Sequence, residues 1–317
     1  MYGFKIDYIF VIPKEKHFRM KKHLLVILLI ITQIAQAQTI LEDQFQFNFL
    51  ALNPAMAGAR ETFSLNAMLG NQFNGSLKPQ QIYQLFSADG AIQQGRGGLA
   101  LQAFNSNITG LNNSGVKAAY AYRKKFGDLF TLGIGADAGF IYQPTIVAGL
   151  GLKQMYPYAG LGGLITADRF FLGLSKPVLF MNSEGLYNSK RPFYTQLGVS
   201  LGDYEGTMLN LSALIETNKS VGNNFYLNAK AWFNQKFGLG ISYRSQEISG
   251  ARTGKVVPMA ELQISEAIRL GLSYDPKPAT YSTGTTQGNF KQNGILQLYF
   301  RYEGRQDTRS TNRLKFY

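Results

Sequence analysis

Apolar and polar residues alternate with a period of two along most of the chain after residue 60. From Phe225 to Asn234, the odd positions carry Phe, Leu, Ala, Ala and Phe, while the even positions carry Tyr, Asn, Lys, Trp and Asn. The stretch from Phe130 to Tyr142 alternates in the same way, with small or polar residues opposite an apolar face. Because successive side chains of a β-strand point to opposite faces, the pattern predicts strands with two different faces.

The alternation predicts fourteen strands, from one near residues 62–73 to one near 292–303. Most are about ten residues long, which is enough for a tilted strand to cross a bilayer. Short turns alternate with long polar connections, and the long ones are predicted near 106–114, 143–155, 179–191, 217–223, 247–254 and 277–291. This rhythm is typical of outer-membrane barrels, whereas a soluble sandwich with Greek-key connections gives no reason for it. We therefore predict an all-β fold, a transmembrane antiparallel β-barrel of about fourteen strands of the outer-membrane type, over residues 62–303.

The first 37 residues have the layout of a secretory signal peptide. A pair of lysines precedes the apolar run LLVILLII at residues 24–31. Ala35 and Ala37 form a small-x-small cleavage site that leaves Gln38 first in the mature chain. Met20 is an alternative start, because a charged leader ahead of the positive region is unusual. A buried hydrophobic helix is the other interpretation of the apolar run, but the layout predicts export.

The mature chain lacks the residue types of the commonest catalytic and metal sites. It has no cysteine, and both histidines, His17 and His23, lie in the leader. A Ser-His pair, a thiolate nucleophile and a His/Cys metal site are therefore excluded, and we predict a non-enzymatic protein without a cofactor. The leader carries six Lys or Arg and two Asp or Glu, so its removal lowers the net charge from +13 to +9. In an exported protein, this balance favours an acidic lipid or polysaccharide surface over nucleic acid.

Charged residues of the predicted strands fall opposite the apolar face, where they would line the barrel interior. The candidate lumen charges are Lys117, Arg123, Asp137, Lys230, Arg244, Arg269, Asp275 and Arg301. We expect structural ion pairs among them rather than catalytic carboxylate pairs. Fourteen strands enclose more space than side chains alone fill, so a folded-in segment or long loops narrow the interior, or it is a pore. Strand glycines such as Gly133 and Gly135 either allow a segment inside the barrel to approach the wall closely or form corners in the sheet.

The stretch NFLALNPAMAGARETFSLNAM, residues 48–68, stands just before the first predicted strand. Its centre, NPAMAG, has no acid, base or nucleophile. Pro54 disfavours helix at Asn53 and removes a backbone donor, and Gly58 permits a positive φ or close packing. We predict that residues 38–61 form a periplasmic or plug-like segment, which caps the barrel end or enters the lumen. A plain turn leading into the first strand is the alternative that the residues leave open.

The same stretch resembles the start of the PorP/SprF family of Bacteroidota outer-membrane proteins, which carries an Asn-Pro-Ala-aromatic-Ala-Gly motif before its first strand. The matching residues are Asn53, Pro54, Ala55, Ala57 and Gly58, and Met56 stands where an aromatic residue is usual. GVKAAYAYRKKFGDLFTLGIGADAGF (115–140) and YAGLGGLITADRFFLGLSKP (158–177) resemble later strands of the family. The chain departs from the family at residues 71–73 and in its basic C-terminal tail, residues 304–317.

The resemblance implies a role with the type IX secretion system in the outer membrane of a Gram-negative, Bacteroidota-type bacterium. The implied partners are outer-membrane lipid, a secreted surface protein such as a gliding adhesin held through its terminal sorting domain, and other components of the secretion system. Nucleic acid is not among them. The alternative function is a passive diffusion porin for small anionic solutes, because Lys and Arg outnumber Asp and Glu among the candidate lumen charges.

Overall fold

The computed structural model describes residues 47–73, 79–108, 111–127, 129–147, 150–181, 192–203, 206–218, 222–248, 251–276 and 294–304. The predicted leader, with its cleavage site at Ala35, Ala37 and Gln38, lies outside the described residues. The predicted basic tail lies outside them too, apart from its first residue, Gly304. Within the described residues, no helix is long and apolar enough to cross a membrane.

Fourteen strands make up most of the described chain. They are β1 (Ser64–Phe73), β2 (Pro79–Ile92), β3 (Gly97–Ile108), β4 (Leu111–Phe126), β5 (Phe130–Val147), β6 (Leu150–Thr166), β7 (Phe170–Met181), β8 (Phe193–Gly202), β9 (Thr207–Asn218), β10 (Gly222–Phe233), β11 (Phe237–Ile248), β12 (Ala251–Gln263), β13 (Ile268–Asp275) and β14 (Ile295–Glu303). Two 3-10 turns, Phe49–Ala51 and Pro54–Met56, precede β1, and a third, Gln93–Gly95, connects β2 to β3.

The strands form one closed antiparallel sheet. Each strand pairs with its neighbours in the chain, and β1 closes the cylinder by pairing with β14 from Ser64 opposite Glu303 to Gln72 opposite Ile295. Closure removes the sheet edges, so the strands satisfy one another's backbone groups without help from solvent. The predicted fourteen-stranded antiparallel barrel is confirmed.

The two faces of the barrel have opposite chemistry. Burial alternates residue by residue, as in β14, where Gln297, Tyr299 and Arg301 are buried and the residues between them are exposed. The exposed face is apolar: Leu101 is 60% exposed and Ile134 is 62% exposed. Six strand tyrosines face outward as well, namely Tyr120, Tyr122, Tyr142, Tyr243, Tyr274 and Tyr302. An apolar exterior bounded by aromatic residues suits lipid, and the polar face is turned inward.

The prediction of long connections is wrong at four places. β3 and β4 are separated by two residues, and so are β5 and β6, and β11 and β12, while β9 and β10 are separated by three. Residues predicted as loop pair as strand instead, as in Gln143 opposite Gln154 and Glu247 opposite Arg252. The physical reason is that polar residues indicate contact with water and not irregular backbone. A hairpin that extends beyond the bilayer is also in water, and its two strands keep their hydrogen bonds to each other.

The orientation of the two faces can be tested by placing a charge on each side of the membrane boundary. Ile134→Arg puts a guanidinium on the lipid face four positions after Phe130, which is about 10 Å into the apolar band. It is expected to lower the free energy of unfolding by about 2–4 kcal/mol. The matched control, Leu129→Arg, lies in the turn before β5, where Leu129 is 79% exposed, and is expected to cost about 0–1 kcal/mol. Urea unfolding from lipid vesicles, followed by the fluorescence of the single tryptophan, Trp232, gives both values. Equal costs at the two positions would contradict the assignment of the lipid face.

Candidate functional site: a segment inside the lumen

Residues 47–60, here called the lumen segment, lie inside the barrel, and every one of them is buried. The Phe47 ring stacks on Tyr299 of β14 with ring centroids 4.9 Å apart. The Phe49 ring meets Phe171 of β7 edge to face at 5.2 Å. Because β7 and β14 stand seven strands apart in a cylinder of fourteen, the segment reaches across the lumen.

The wall holds the lumen segment mainly by its backbone carbonyl groups. Donors come from three strands that are far apart in the chain, β4, β7 and β14. The pairs are Phe47 O with Arg301 Nη2 (2.9 Å), Ala51 O with Lys117 Nζ (3.1 Å), Leu52 O with Ser175 Oγ (2.7 Å), and both Ala55 O (3.4 Å) and Ala57 O with Arg123 Nη2. Buried carbonyl groups need such donors, and a cationic donor makes the bond stronger. Three of the predicted lumen charges therefore bind the segment.

Asn53 organises the centre of the segment with both ends of its amide. Its Oδ1 accepts from the backbone N–H of Ala55 at 3.0 Å, which caps the turn Pro54–Met56. Its Nδ2 donates to the carbonyl of Gly163 at 3.1 Å and to Oε1 of Gln196 at 3.2 Å. Proline suits the first position of such a turn because its φ is fixed and no N–H is needed there. The Asn-Pro pair thus makes the turn and fastens it to β6 and β8.

Gly58 occupies a position that excludes any side chain. Its φ is +64°, a conformation that L-residues rarely adopt. A Cβ there would also lie 2.6 Å from the carbonyl oxygen of Gly90 in β2. The Gly58 N–H donates to Oδ2 of Asp89 at 2.9 Å, so the chain is held against β2 where it turns towards β1.

Glycines of the wall admit the segment to close range. A Cβ on Gly135 would lie 2.5 Å from the Ala55 nitrogen, and one on Gly162 would overlap the Asn53 amide oxygen. Gly173 stands in the same way against the Asn53 amide nitrogen, at 2.8 Å. By contrast, a Cβ on Gly133 would meet nothing nearer than 3.4 Å. Of the two glycines named from the sequence, Gly135 therefore serves close approach and Gly133 does not.

All eight candidate lumen charges are buried on the inner face. Acids and bases pair inside the barrel, with N–O distances of 2.8 Å for Lys117–Asp137, 2.6 Å for Lys230–Glu261, 3.7 Å for Arg269–Glu261, 3.5 Å for Arg244–Asp275, 2.7 Å for Lys255–Asp275 and 3.5 Å for Arg301–Glu303. All but the last of these pairs join different strands. Pairing offsets the cost of burying each charge. Over the described residues, no cluster of acidic or histidine side chains could hold a metal ion.

Arg60, which joins the lumen segment to the wall, is a residue that the sequence pattern does not predict. Its Nε lies 3.7 Å from Glu303 and its Nη1 lies 3.9 Å from Asp89. Burial lowers the pKa of Arg60 and Arg301 lowers it further, while Asp89 and Glu303 act in the opposite direction. Asp89 lies in the second predicted strand, where the alternation of apolar and polar residues predicts an inward-facing side chain. Arg60 precedes the first strand, where no periodicity assigns a face.

A family model described as "Type IX secretion system membrane protein PorP/SprF" matches residues 34–302. No curated protein matches the chain. Among solved structures, the chain is similar to a Pseudomonas aeruginosa FadL homologue (12% identity, TM-score 0.48, 82% of this chain and 93% of that one). It is also similar to the Pseudomonas putida toluene transporter TodX (10% identity, TM-score 0.43, 85% of this chain and 94% of that one). At these scores the structural likeness carries no functional information.

The role of Gly135 can be tested against its neighbour. Gly135→Ala places a methyl group against the Ala55 backbone and is expected to cost about 1–3 kcal/mol of stability, because backbone must shift to admit it. Gly133→Ala, on the same face of the same strand, is the matched control and is expected to stay within about 0.5 kcal/mol. Unfolding in urea measures the cost, and limited proteolysis within residues 47–60 reports release of the segment. Equal behaviour of the two variants would contradict close approach at Gly135.

Asn53 offers a second test of the same segment. Asn53→Ala removes three hydrogen bonds and leaves buried groups unpaired, so it is expected to cost about 1–3 kcal/mol and to loosen the segment. Met56→Leu changes a neighbouring buried residue at similar volume and is expected to cost less than about 1.5 kcal/mol. Heat-modifiability on gels and proteolysis at residues 47–60 follow both variants. An Asn53→Ala protein as resistant as the Met56→Leu protein would show that the amide does not hold the turn.

Proposed function

The chain belongs to the PorP/SprF family of type IX secretion system membrane proteins, and from this premise we propose that it is a closed, non-enzymatic barrel which retains a secreted surface protein. The proposed cargo contact is the terminal sorting domain of that protein, a gliding adhesin being one example. The barrel itself lies in the outer membrane of a Gram-negative cell, as its family and its lipid-facing exterior require. Its immediate surroundings are therefore membrane lipid and the secretion system.

The segment inside the lumen is the observation that supports a binding protein over a channel. The lumen segment crosses the interior, and wall residues from β4, β6, β7, β8 and β14 hold it. A passive anion pore needs unpaired interior cations along an open path. Here Lys117, Lys230 and Arg269 each pair with a buried acid instead. The excess of basic residues that favoured an anion pore is thus largely used in structural contacts.

The buried carboxylates also support a non-enzymatic role. Asp137, Glu261 and Asp275 each lie within 2.8 Å of a lysine ammonium group. Each of these carboxylates is engaged in an ion pair, which is the arrangement expected of a structural role rather than of a catalytic acid or base. The mature sequence has no histidine that could act as the acid or base instead.

Tall hairpins at the end of the barrel opposite the β4–β5 turn offer a surface for the cargo. β4, β5 and β6 contain 16, 18 and 17 residues, more than the ~10 that a tilted strand needs to cross the bilayer. The remainder extends past the membrane boundary as paired strand. Strand edges and alternating side chains on such hairpins can accept an extended or β-rich partner by backbone pairing. We place the cargo contact on these hairpins, outside the membrane.

Binding and conductance together test the proposed function. The purified barrel is mixed with the purified terminal sorting domain of a secreted protein encoded beside it, and a stoichiometric complex is expected on size-exclusion chromatography. An unrelated fourteen-stranded barrel in the same detergent is the control and should not bind. In planar bilayers, the wild-type barrel is expected to show no steady channel, whereas deletion of residues 38–58 should raise the conductance.

A steady anion-selective current through the wild-type barrel, without complex formation, would favour the diffusion porin instead. A complex that survives removal of the β5–β6 hairpin tip would place the cargo contact elsewhere on the barrel. In cells, loss of the gene should release the surface protein into the medium, and the wild-type gene should restore its retention.

A further inference from the structure

The seam, defined here as the pairing of β1 with β14, closes the barrel without a connecting turn. Every other pair of neighbouring strands is consecutive in the chain, whereas β1 and β14 are the first strand and the last. A short connection keeps two strand ends together at little cost in entropy. The seam has no such connection, so its ends are held by noncovalent contacts alone.

Arg60 lies across the seam at the start of β1. Ser64 of β1 has two register partners, Glu303 of β14 and Asp89 of β2, so the three residues form one row along the inner wall. The Arg60 guanidinium group reaches both acids of this row, with Nε 3.7 Å from Glu303 and Nη1 3.9 Å from Asp89. Both acids are buried. Arg60 therefore links the last strand to the second strand across the first.

Glu303 receives contacts from both ends of the lumen segment. Arg60 is the last residue of the segment, and its contact with Glu303 is direct. Phe47 is the first, and its carbonyl accepts a hydrogen bond from Arg301 Nη2 at 2.9 Å, while Arg301 Nη1 lies 3.5 Å from Glu303 Oε1. Arg301 Nε also donates to Oδ1 of Asn66 in β1 at 3.0 Å, across the seam. The two ends of the segment and the seam thus meet at one carboxylate.

Sharing this carboxylate makes the seam and the lumen segment stabilise each other. Separation of β14 from β1 would take Glu303 away from Arg60, and departure of the segment would take Arg60 away from Glu303. Either movement breaks the same buried ion pair, and breaking a buried pair costs far more than breaking an exposed one. The cost is paid once if both movements occur together, so joint opening is favoured over either movement alone.

We propose that Arg60 and Glu303 form a latch that couples the seam to the lumen segment, so that this end of the seam opens only together with release of the segment. The latch is independent of the proposed cargo contact. It keeps the lumen closed to the bilayer while the segment is in place, and it frees the edges of β1 and β14 when the segment leaves. Asp89 supports the latch, because its Oδ2 also accepts the Gly58 N–H at 2.9 Å.

Hydrogen exchange of the folded barrel in mild detergent, measured by mass spectrometry of its peptides, tests the coupling. Glu303→Gln keeps the shape of the side chain and removes its charge. It is expected to speed exchange about tenfold, the value of one hydrogen bond to a charged group, in two regions together: the paired ends of β1 and β14, and residues 47–60.

Asp275→Asn is the matched control for Glu303→Gln. Asp275 also contacts two buried cations, Arg244 at 3.5 Å and Lys255 at 2.7 Å, but these come from β11 and β12 and not from the seam or the lumen segment. Its replacement removes a comparable set of ion pairs, and it should leave exchange unchanged at the seam and in residues 47–60.

A disulfide across the seam distinguishes coupling from a general loss of stability. Leu65 and Tyr302 are register partners on the outer face, and the sequence contains no cysteine. Leu65→Cys combined with Tyr302→Cys therefore permits one bond, between strands at a suitable distance. With this bond formed, Glu303→Gln should no longer speed exchange of residues 47–60, and reduction of the bond should restore the effect.

Heat-modifiability on gels verifies that each variant is folded, and Arg60→Met, which removes the other half of the latch, replaces Glu303→Gln if that protein does not fold. The proposal is overturned if exchange is unchanged, or if it rises at the seam alone or in residues 47–60 alone. It is also overturned if Asp275→Asn loosens both regions equally, or if the disulfide leaves the effect of Glu303→Gln on residues 47–60 intact.

Discussion

The pairing of β1 with β14 is the contact on which the rest of the structure depends. Hydrocarbon offers no partner to a backbone N–H or C=O group, so an open sheet of these strands could not stand in a bilayer. The seam is continued past the strands: Gly304 N donates to Phe63 O at 2.7 Å and Thr62 Oγ1 donates to Gly304 O at 2.8 Å. Closure creates the lipid-facing exterior and the enclosed interior together, and each then imposes its own demand on the sequence.

The interior demand is volume. Fourteen strands leave a space that ordinary side chains do not fill, and the chain fills it in two ways. Beside β4–β7, small wall residues such as Gly135 let the backbone of the lumen segment approach the sheet. Beside β10–β13, long charged side chains extend inward and pair, and Arg269 lies 4.6 Å from the ring centroid of Trp232. The glycine-rich sector and the charge-rich sector are therefore complementary solutions to one packing problem.

The strands and their faces could be predicted from the sequence because alternation is a local property. The eight lumen charges follow from the same alternation, and the structure places each of them inside. The contacts of the NPAMAG motif could not be predicted in the same way, because Asn53 contacts Gln196, which is 143 residues away in the chain. That contact depends on register and closure, which no local pattern encodes. Loop lengths do not follow from polarity, because polar residues occur both in irregular loops and in paired strand outside the membrane, as at Gln143 and Gln154.

The location of the lumen segment has a consequence for how the molecule is assembled. The segment is joined to β1 by only a few residues and is fastened to β2, β4, β7 and β14. Once the barrel is closed, the folded peptide could enter it only through one of its two open ends. We expect the amino-terminal peptide to be seated before the first and last strands meet, so that the wall is wound around it and the seam is the final step of biogenesis.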